Sequence, residues 1–269
     1  MRLLRLMNRI MVTIAVIVCV SCERAEESSH EEVHWSYTGE GAPTHWADLR
    51  PDFALCGDGT SQSPVDLGDA VPGDSVSVTR DYRPATLRIA HQEHIVDVID
   101  NGHTIQITYD EGSTLDLGEG IVYELAQYHF HSPSEHTVNG EHYPMEMHFV
   151  HQSADDRLAV VAAFIAEGAH NPAFGPIWEN LPSVPGEERH LEHVSVDIDD
   201  LVPMEHHYYR YQGSLTTPPC SEGVEWIVRA NPIELAREQI ETFRAIFHEN
   251  NRPVQPLEGR SVALVTDDE

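Results

Sequence analysis

The chain has 269 residues, with 45 acidic side chains against 16 basic ones, all of them Arg, and a formal net charge of −29. At 41% hydrophobic and 23% charged it has the composition of one sizeable globular domain, which excludes general disorder. A negative field of this size argues against nucleic acid and anionic membrane surfaces as partners, and 18 His beside four Cys point to imidazole chemistry rather than a thiolate cluster.

Residues 1–21 open with Arg2, Arg5 and Arg9 and continue in an apolar run of 11 residues, Ile10–Val20. As a helix that run would span roughly 16 Å, well short of a bilayer core of about 30 Å, so it reads as a secretory signal peptide rather than an anchor. Cleavage after Ser21 would leave Cys22 at the new N-terminus, as in bacterial lipoproteins; lipidation of Cys22 and simple cleavage both stay open. Residues 22–32 are polar and acidic and read as a tether. Further on stand Cys56 and Cys220. In an oxidising compartment such a pair forms a disulfide, which over so long a loop would stabilise the fold by about 4–5 kcal/mol. Two buried free thiols are the alternative.

Beyond the tether, β-branched runs recur between turn signals: Ser75–Thr79, Ile95–Ile99, Thr104–Tyr109, Ile121–Phe130, Met145–Val150, Leu158–Ile165, Tyr208–Tyr211 and Val224–Val228. Turns such as Asn101-Gly102 and Asn139-Gly140 favour antiparallel hairpins. Two segments have helical character, a short one between Pro172 and Pro182 and a longer one from about Glu234 to His248, where Leu235, Ile240, Phe243 and Phe247 recur at helical spacing. The expected fold is α+β and sheet-dominated: a single domain with a large, mostly antiparallel twisted sheet and short peripheral helices.

The stretch Gln127-Tyr128-His129-Phe130-His131 places two imidazoles on one face of a strand. Asn139-Gly140 can turn the chain so that Met145–Val150 runs beside it and offers His148. Three neutral imidazoles suit Zn²⁺ and leave a tetrahedral position open, a catalytic rather than a structural pattern. Alternating His alone are more often surface or core residues. Here Gln127 and Glu146 each stand two residues before a His on the same face, where they can orient the rings. A second stretch, Gly213-Ser214-Leu215-Thr216-Thr217-Pro218-Pro219-Cys220, is stiff; taken alone it would be a surface turn.

Together these stretches resemble the alpha-class carbonic anhydrases, in the form found in exported bacterial members. The resemblance also runs through His34-Trp35-Ser36-Tyr37, Gln62-Ser63-Pro64-Val65-Asp66, Asn101-Gly102-His103 and Arg252-Pro253-Val254-Gln255-Pro256-Leu257, and so covers a catalytic domain at 33–266. It implies one Zn²⁺ per chain on His129, His131 and His148, with Gln127, Glu146 and the carbonyl of Asn250 orienting them. It implies that Thr216 accepts from the nucleophile and donates to Glu135, and that His103 shuttles protons. Val150, Val160, Leu215, Val224 and Trp226 match an apolar wall for CO₂, with Thr217 beside it. Tyr37, Asn101, Gln106 and Thr217 match the groups that order water.

The activity so implied is reversible hydration of CO₂ to bicarbonate, by a monomer or homodimer exported to a bacterial periplasm or cell envelope, touching membrane only through a lipid on Cys22. An acatalytic binding domain is disfavoured because the whole residue set is present, and ester hydrolysis would be a side activity of the same centre. His91, His94, His142, His151, His206 and His207 lack such companions and read as surface or hydrogen-bonded structural residues. His136 is expected in a supporting network. Ser132 departs from the Trp common at its position in animal members, which should change packing behind the site.

Overall fold

The computed structural model describes residues 34–266 apart from 76, 93–103, 119, 185 and 248. The leader, the tether with Cys22, the run Ile95–Ile99, and both Asn101 and His103 lie outside the described residues. Eight strands build the centre of the sheet: β1 (Ala85–Gln92), β2 (Thr104–Thr108), β3 (Val122–His131), β4 (Met145–Ser153), β5 (Leu158–Glu167), β6 (Glu188–Val196), β7 (His207–Ser214) and β8 (Glu222–Arg229). Their spatial order is β7-β8-β5-β4-β3-β2-β1-β6. Short strands at Val71–Pro72, Thr79–Asp81, Thr114–Asp116, Ile233–Leu235 and Ala263–Thr266 complete a sheet of 13 strands among the described residues. Short helices lie around it, as expected.

Pairing is antiparallel except where β5 meets β8 (Val160 opposite Trp226) and Ile233–Leu235, and where Val71–Pro72 meets Ala263–Thr266. β4 and β5 are buried almost throughout because they sit mid-sheet with both faces covered. One face carries Tyr128, Phe130, Met147, Phe149 and Val161 in the main core. The opposite face gathers Val150, Val160, Leu215, Val224 and Trp226.

Several elements differ from the sequence reading. The strand expected at Ser75–Thr79 begins only at Thr79 and ends at Asp81, because its partner Thr114–Asp116 pairs with those residues alone. The helix expected from Glu234 runs from Arg237 to Arg244. Leu235 belongs to a strand aligned with Glu167 of β5, so its burial reflects sheet packing rather than helical spacing. β1 and β6 are strands beyond those expected; β6, with two Glu, two His and an Arg among its nine residues, is an edge strand whose charges suit solvent. Further short helical turns occur between Gly39 and Asp58 and at Ile198–Leu201.

The cysteines meet expectation. Cys56 and Cys220 are joined by a disulfide across 164 residues and pack with Trp35, Trp46 and Phe53. Reducing it should lower the unfolding free energy by up to about 5 kcal/mol on the loop-entropy estimate; urea unfolding with and without reductant measures the loss.

His151 is buried on β4, where its Nδ1–H donates to the Phe149 carbonyl (2.9 Å) and its Nε2 accepts from the Tyr82 hydroxyl (2.8 Å). Burial pushes its pKa down to about 3, against the partial opposition of backbone hydrogen bonds. The native state thus keeps this ring neutral, and the stability it contributes is complete above about pH 6.5 and drains as pH falls towards 3. His151→Gln should therefore flatten the acid limb between pH 6.5 and 4 by up to about 1.4 kcal/mol per pH unit. Urea unfolding of both proteins across that window checks the slope.

Candidate metal centre

The site is built on the β3–β4 ladder. Tyr123 and Leu125 of β3 point into the main core, as do Tyr128 and Phe130, so the alternation changes parity between them. The cause is a bulge: Leu125 pairs with His151 but Gln127 with Val150, leaving Ala126 as the extra residue. After it, Gln127, His129 and His131 turn to the face that carries Val150 and Trp226. His129 then lies directly opposite His148 on β4.

His129, His131 and His148 are all buried, and each offers a ring nitrogen within 4.8 Å of the others. Their remaining nitrogens have acceptors. Nδ1 of His129 donates to Gln127 Oε1 (2.9 Å), Nδ1 of His131 to the Asn250 carbonyl (2.7 Å), and Nε2 of His148 to Glu146 Oε1 (2.8 Å). Because those partners accept, the lone pairs left over are on Nε2 of His129, Nε2 of His131 and Nδ1 of His148. His131 Nε2 is buried with no hydrogen-bond partner, which costs free energy unless a cation takes up the lone pair. Burial, reinforced by the neighbouring rings, holds His129 well below the ordinary imidazole range. Burial also lowers His131, although Glu135 opposes it. Neutral, nitrogen-only donors in this arrangement fit a zinc ion.

Glu146 is fully buried and fully used. Oε1 accepts from His148 and from His136 Nδ1 (2.7 Å), and Oε2 from the backbone N–H groups of Glu135 and His136 (both 2.9 Å). Burial alone would raise this carboxyl, but the electrostatic pull and hydrogen bonds of the His136 and His148 rings hold it well below the usual carboxylate range. His136 passes the contact on through Nε2 to the Tyr211 hydroxyl (2.6 Å), which in turn donates to Ser63 (2.8 Å), so it has the supporting position expected of it.

Glu135 is also fully buried; its Oε1 accepts from the Arg252 N–H (2.8 Å). Its Oε2 has no hydrogen-bond partner, so the expected bond from Thr216 to that oxygen is not formed. Oε2 faces His131 Nε2 (3.6 Å) and His148 Nδ1 (3.9 Å) instead. Thr216 and Thr217 are buried on the stiff stretch, which is closed by Cys220 N–H to the Thr217 carbonyl (2.8 Å) and Leu215 N–H to the Ser221 carbonyl (2.9 Å). Val150, Val160, Leu215, Val224 and Trp226 form one apolar cluster, and Trp226 lies edge-on to His148 at 5.0 Å between centroids. Gln106 is buried opposite His129 across the β2–β3 ladder. Tyr37 is half-buried and stacks edge-on against Trp35 and Trp46.

Two features have no local signal in the sequence. The Asn250 side chain accepts from the Ser132 N–H (2.7 Å) and donates to the Phe130 carbonyl (3.0 Å), gripping the segment that carries His131 from more than 100 residues away. The Arg252 guanidinium is buried and donates to Gln62 Oε1 and to the carbonyls of Ser63 and Cys56, each at 2.8 Å. Burial lowers its pKa to about 10 despite the nearby Glu135.

Residues 41–266 match the family described as eukaryotic-type carbonic anhydrase. The chain belongs to that family. A carbonic anhydrase of Pectobacterium carotovorum is 39% identical over 256 residues, covering 95% of this chain and 98% of the relative. One from a Nostoc species is 43% identical over 86% of this chain and 85% of its own length. Among solved structures, a hyperthermostable carbonic anhydrase from a hydrothermal vent chimney superposes with a TM-score of 0.79 at 45% identity, covering 86% of this chain and all of that one. Dioscorin, solved with ascorbate, shares the fold at a TM-score of 0.77 and 28% identity, over 88% of this chain and 99% of its own. The carbonic anhydrase fold therefore does not specify one ligand, and the chemistry must be argued from the imidazoles. Gln127→Ala should weaken zinc binding about 10- to 100-fold by releasing the His129 ring; competition against a chromophoric chelator measures it.

Proposed function

We infer that the protein is a carbonic anhydrase that hydrates CO₂ to bicarbonate and a proton, reversibly and with zinc. The observation that carries the reading is the meeting of three buried imidazoles, their outer nitrogens all hydrogen-bonded, with a wall of apolar side chains. Zinc in such a donor set acts as a Lewis acid and makes hydroxide available near pH 7, a figure for which carbonic anhydrases are themselves the reference case.

The chain supplies the rest. His129, His131 and His148 are the metal ligands, aimed by Gln127, the Asn250 carbonyl and Glu146. CO₂ has no net dipole, so Val150, Val160, Leu215, Val224 and Trp226 hold it without competing for its carbon. Thr216 would be left only to accept from the attacking oxygen once it gives its own proton to Glu135, a bond not formed in the structure, and this would aim a lone pair at the carbon. Glu135 Oε2, the oxygen with no partner, is the acceptor this role requires. Thr217, Tyr37, Asn101 and Gln106 order water towards His103, and an imidazole is the side-chain type suited to carry a proton to buffer near neutral pH.

The mature enzyme works outside the bacterial cytoplasm, in the periplasm or held to the envelope through Cys22, after loss of residues 1–21. The Cys56–Cys220 disulfide and the bacterial relatives support this placement. Intact mass of envelope-extracted protein distinguishes lipidation from simple cleavage.

Stopped-flow CO₂ hydration on protein carrying one zinc per chain tests the activity, and a rate no higher than buffer would refute it. His103→Ala should slow turnover at low buffer concentration, and added imidazole should restore it. A variant insensitive to imidazole would remove His103 from the pathway.

A further inference from the structure

The β3–β4 ladder ends with His131 opposite Glu146, and the two segments meet again where the Ser134 N–H donates to the Tyr143 carbonyl (3.0 Å). Beyond that point Ser132 and Pro144 leave the ladder, one residue past His131 and four before His148. In the gap between, the side chain of Arg244, at the last turn of the helix Arg237–Arg244, bridges Ser132 and Pro144. Its Nε donates to Ser132 Oγ (2.9 Å) and its Nη2 to the Pro144 carbonyl (3.0 Å). Ser132 Oγ donates to the same carbonyl (3.0 Å), so Arg244, Ser132 and Pro144 close a ring of hydrogen bonds. From the other side Asn250 accepts from Ser132 N–H through Oδ1 and from His131 Nδ1–H through its backbone carbonyl.

Ser132 is thus gripped twice, and His131 moves with it. We propose that Arg244 is a positioning residue of the metal centre, which sets how long zinc is retained by pinning Ser132 and the start of β4 in register. The inference rests on the zinc reading above. Arg244 does not touch the ligands; its third arm, Nη1, faces Glu241 on its own helix (3.3 Å). It lines a surface hollow of about 520 Å³ together with Thr38, Ser132, Pro133, Phe247 and Glu249. A small Ser side chain leaves room there for the guanidinium to reach both carriers of the ligands.

The open hollow supplies a test that general destabilisation would not pass. Truncation to Arg244→Ala leaves a cavity open to solvent, shaped for a guanidinium ion and lined by the same acceptors, Ser132 Oγ and the Pro144 carbonyl. The zinc-loaded full-length protein is mixed with excess chelator, and zinc release is followed by the chelator's absorbance. Arg244→Ala should release zinc about 10-fold faster, within the range seen when groups that support metal ligands are removed. Guanidinium at concentrations far below denaturing should restore much of the retention, and sodium chloride at equal ionic strength should not. Ser132→Ala should speed release comparably and should add little in the Arg244→Ala background, since both remove one interaction.

Release from Arg244→Ala within twofold of the parent, or faster release that guanidinium and sodium chloride change equally, would overturn the proposal. Arg244→Lys guards against misfolding, because it keeps charge and stem while losing the fork, and should fall between the two. If the unmodified protein took up no stoichiometric zinc, the zinc reading itself would fail, which is a different result.

Discussion

Everything in the site depends on one extra residue in β3. A strand that alternated without interruption from Tyr123 would send Gln127, His129 and His131 into the main core with Leu125. The bulge at Ala126 reverses the parity and places His129 opposite His148. Bulges increase local twist and re-aim side chains, and here the re-aimed set contains two of the three imidazoles and one of the groups that orient them. The fold does not tolerate slippage at this point. Moving the register by one residue would turn Tyr128 and Phe130 to the site face and send the imidazoles into the main apolar core.

Glu146 turns that register into a rigid centre. A carboxylate with no solvent contact costs several kcal/mol unless its charge and lone pairs are met. Here four donors meet them, two from imidazoles and two from the backbone of the loop after β3. The same contacts fix the His148 ring and the chain at Glu135 and His136. The network continues through His136 and Tyr211 to Ser63, which exchanges hydrogen bonds with Ser214 on the strand leading to Thr216. Strands far apart in sequence are thereby joined by polar contacts that have no satisfactory alternative in a dry interior.

Most of the site was legible because its parts are local. Gln127, His129 and His131 lie within five residues, and Glu146 and His148 within three, so alternation reveals both pairs. The apolar wall could be assigned only by resemblance, since Val150, Val160, Leu215, Val224 and Trp226 come from four segments. The bulge was not legible: the His129/His131 spacing is the same with or without it, and only the pairing partner shows which face they take. The Asn250 side chain and Arg244 were equally silent, because both act across 100 residues or more on main-chain groups or a hydroxyl, which leave no pattern in the sequence. Leu235 misled because an apolar residue two places before a helix fits the helical period as well as it fits a short parallel strand.

The charge divides the molecule in a way that suits its substrate. Among the described residues, Glu135 and Glu146 are the fully buried carboxylates; the other acids lie at or near the surface. The interior of the site then sets only these two carboxylates, with the buried Arg252, among imidazoles, hydroxyls and apolar side chains, while most of the net charge of −29 lies outside it. A field of that kind leaves CO₂, which carries no charge, free to enter, and it opposes the accumulation of bicarbonate at the mouth. Salt screens it over about 10 Å at moderate ionic strength, so its influence on the anion fades in saline surroundings while the buried hydrogen-bond network that holds the three imidazoles does not depend on it. Binding geometry and solubility are consequently set by separate populations of the same residue type, the few carboxylates inside and the many outside.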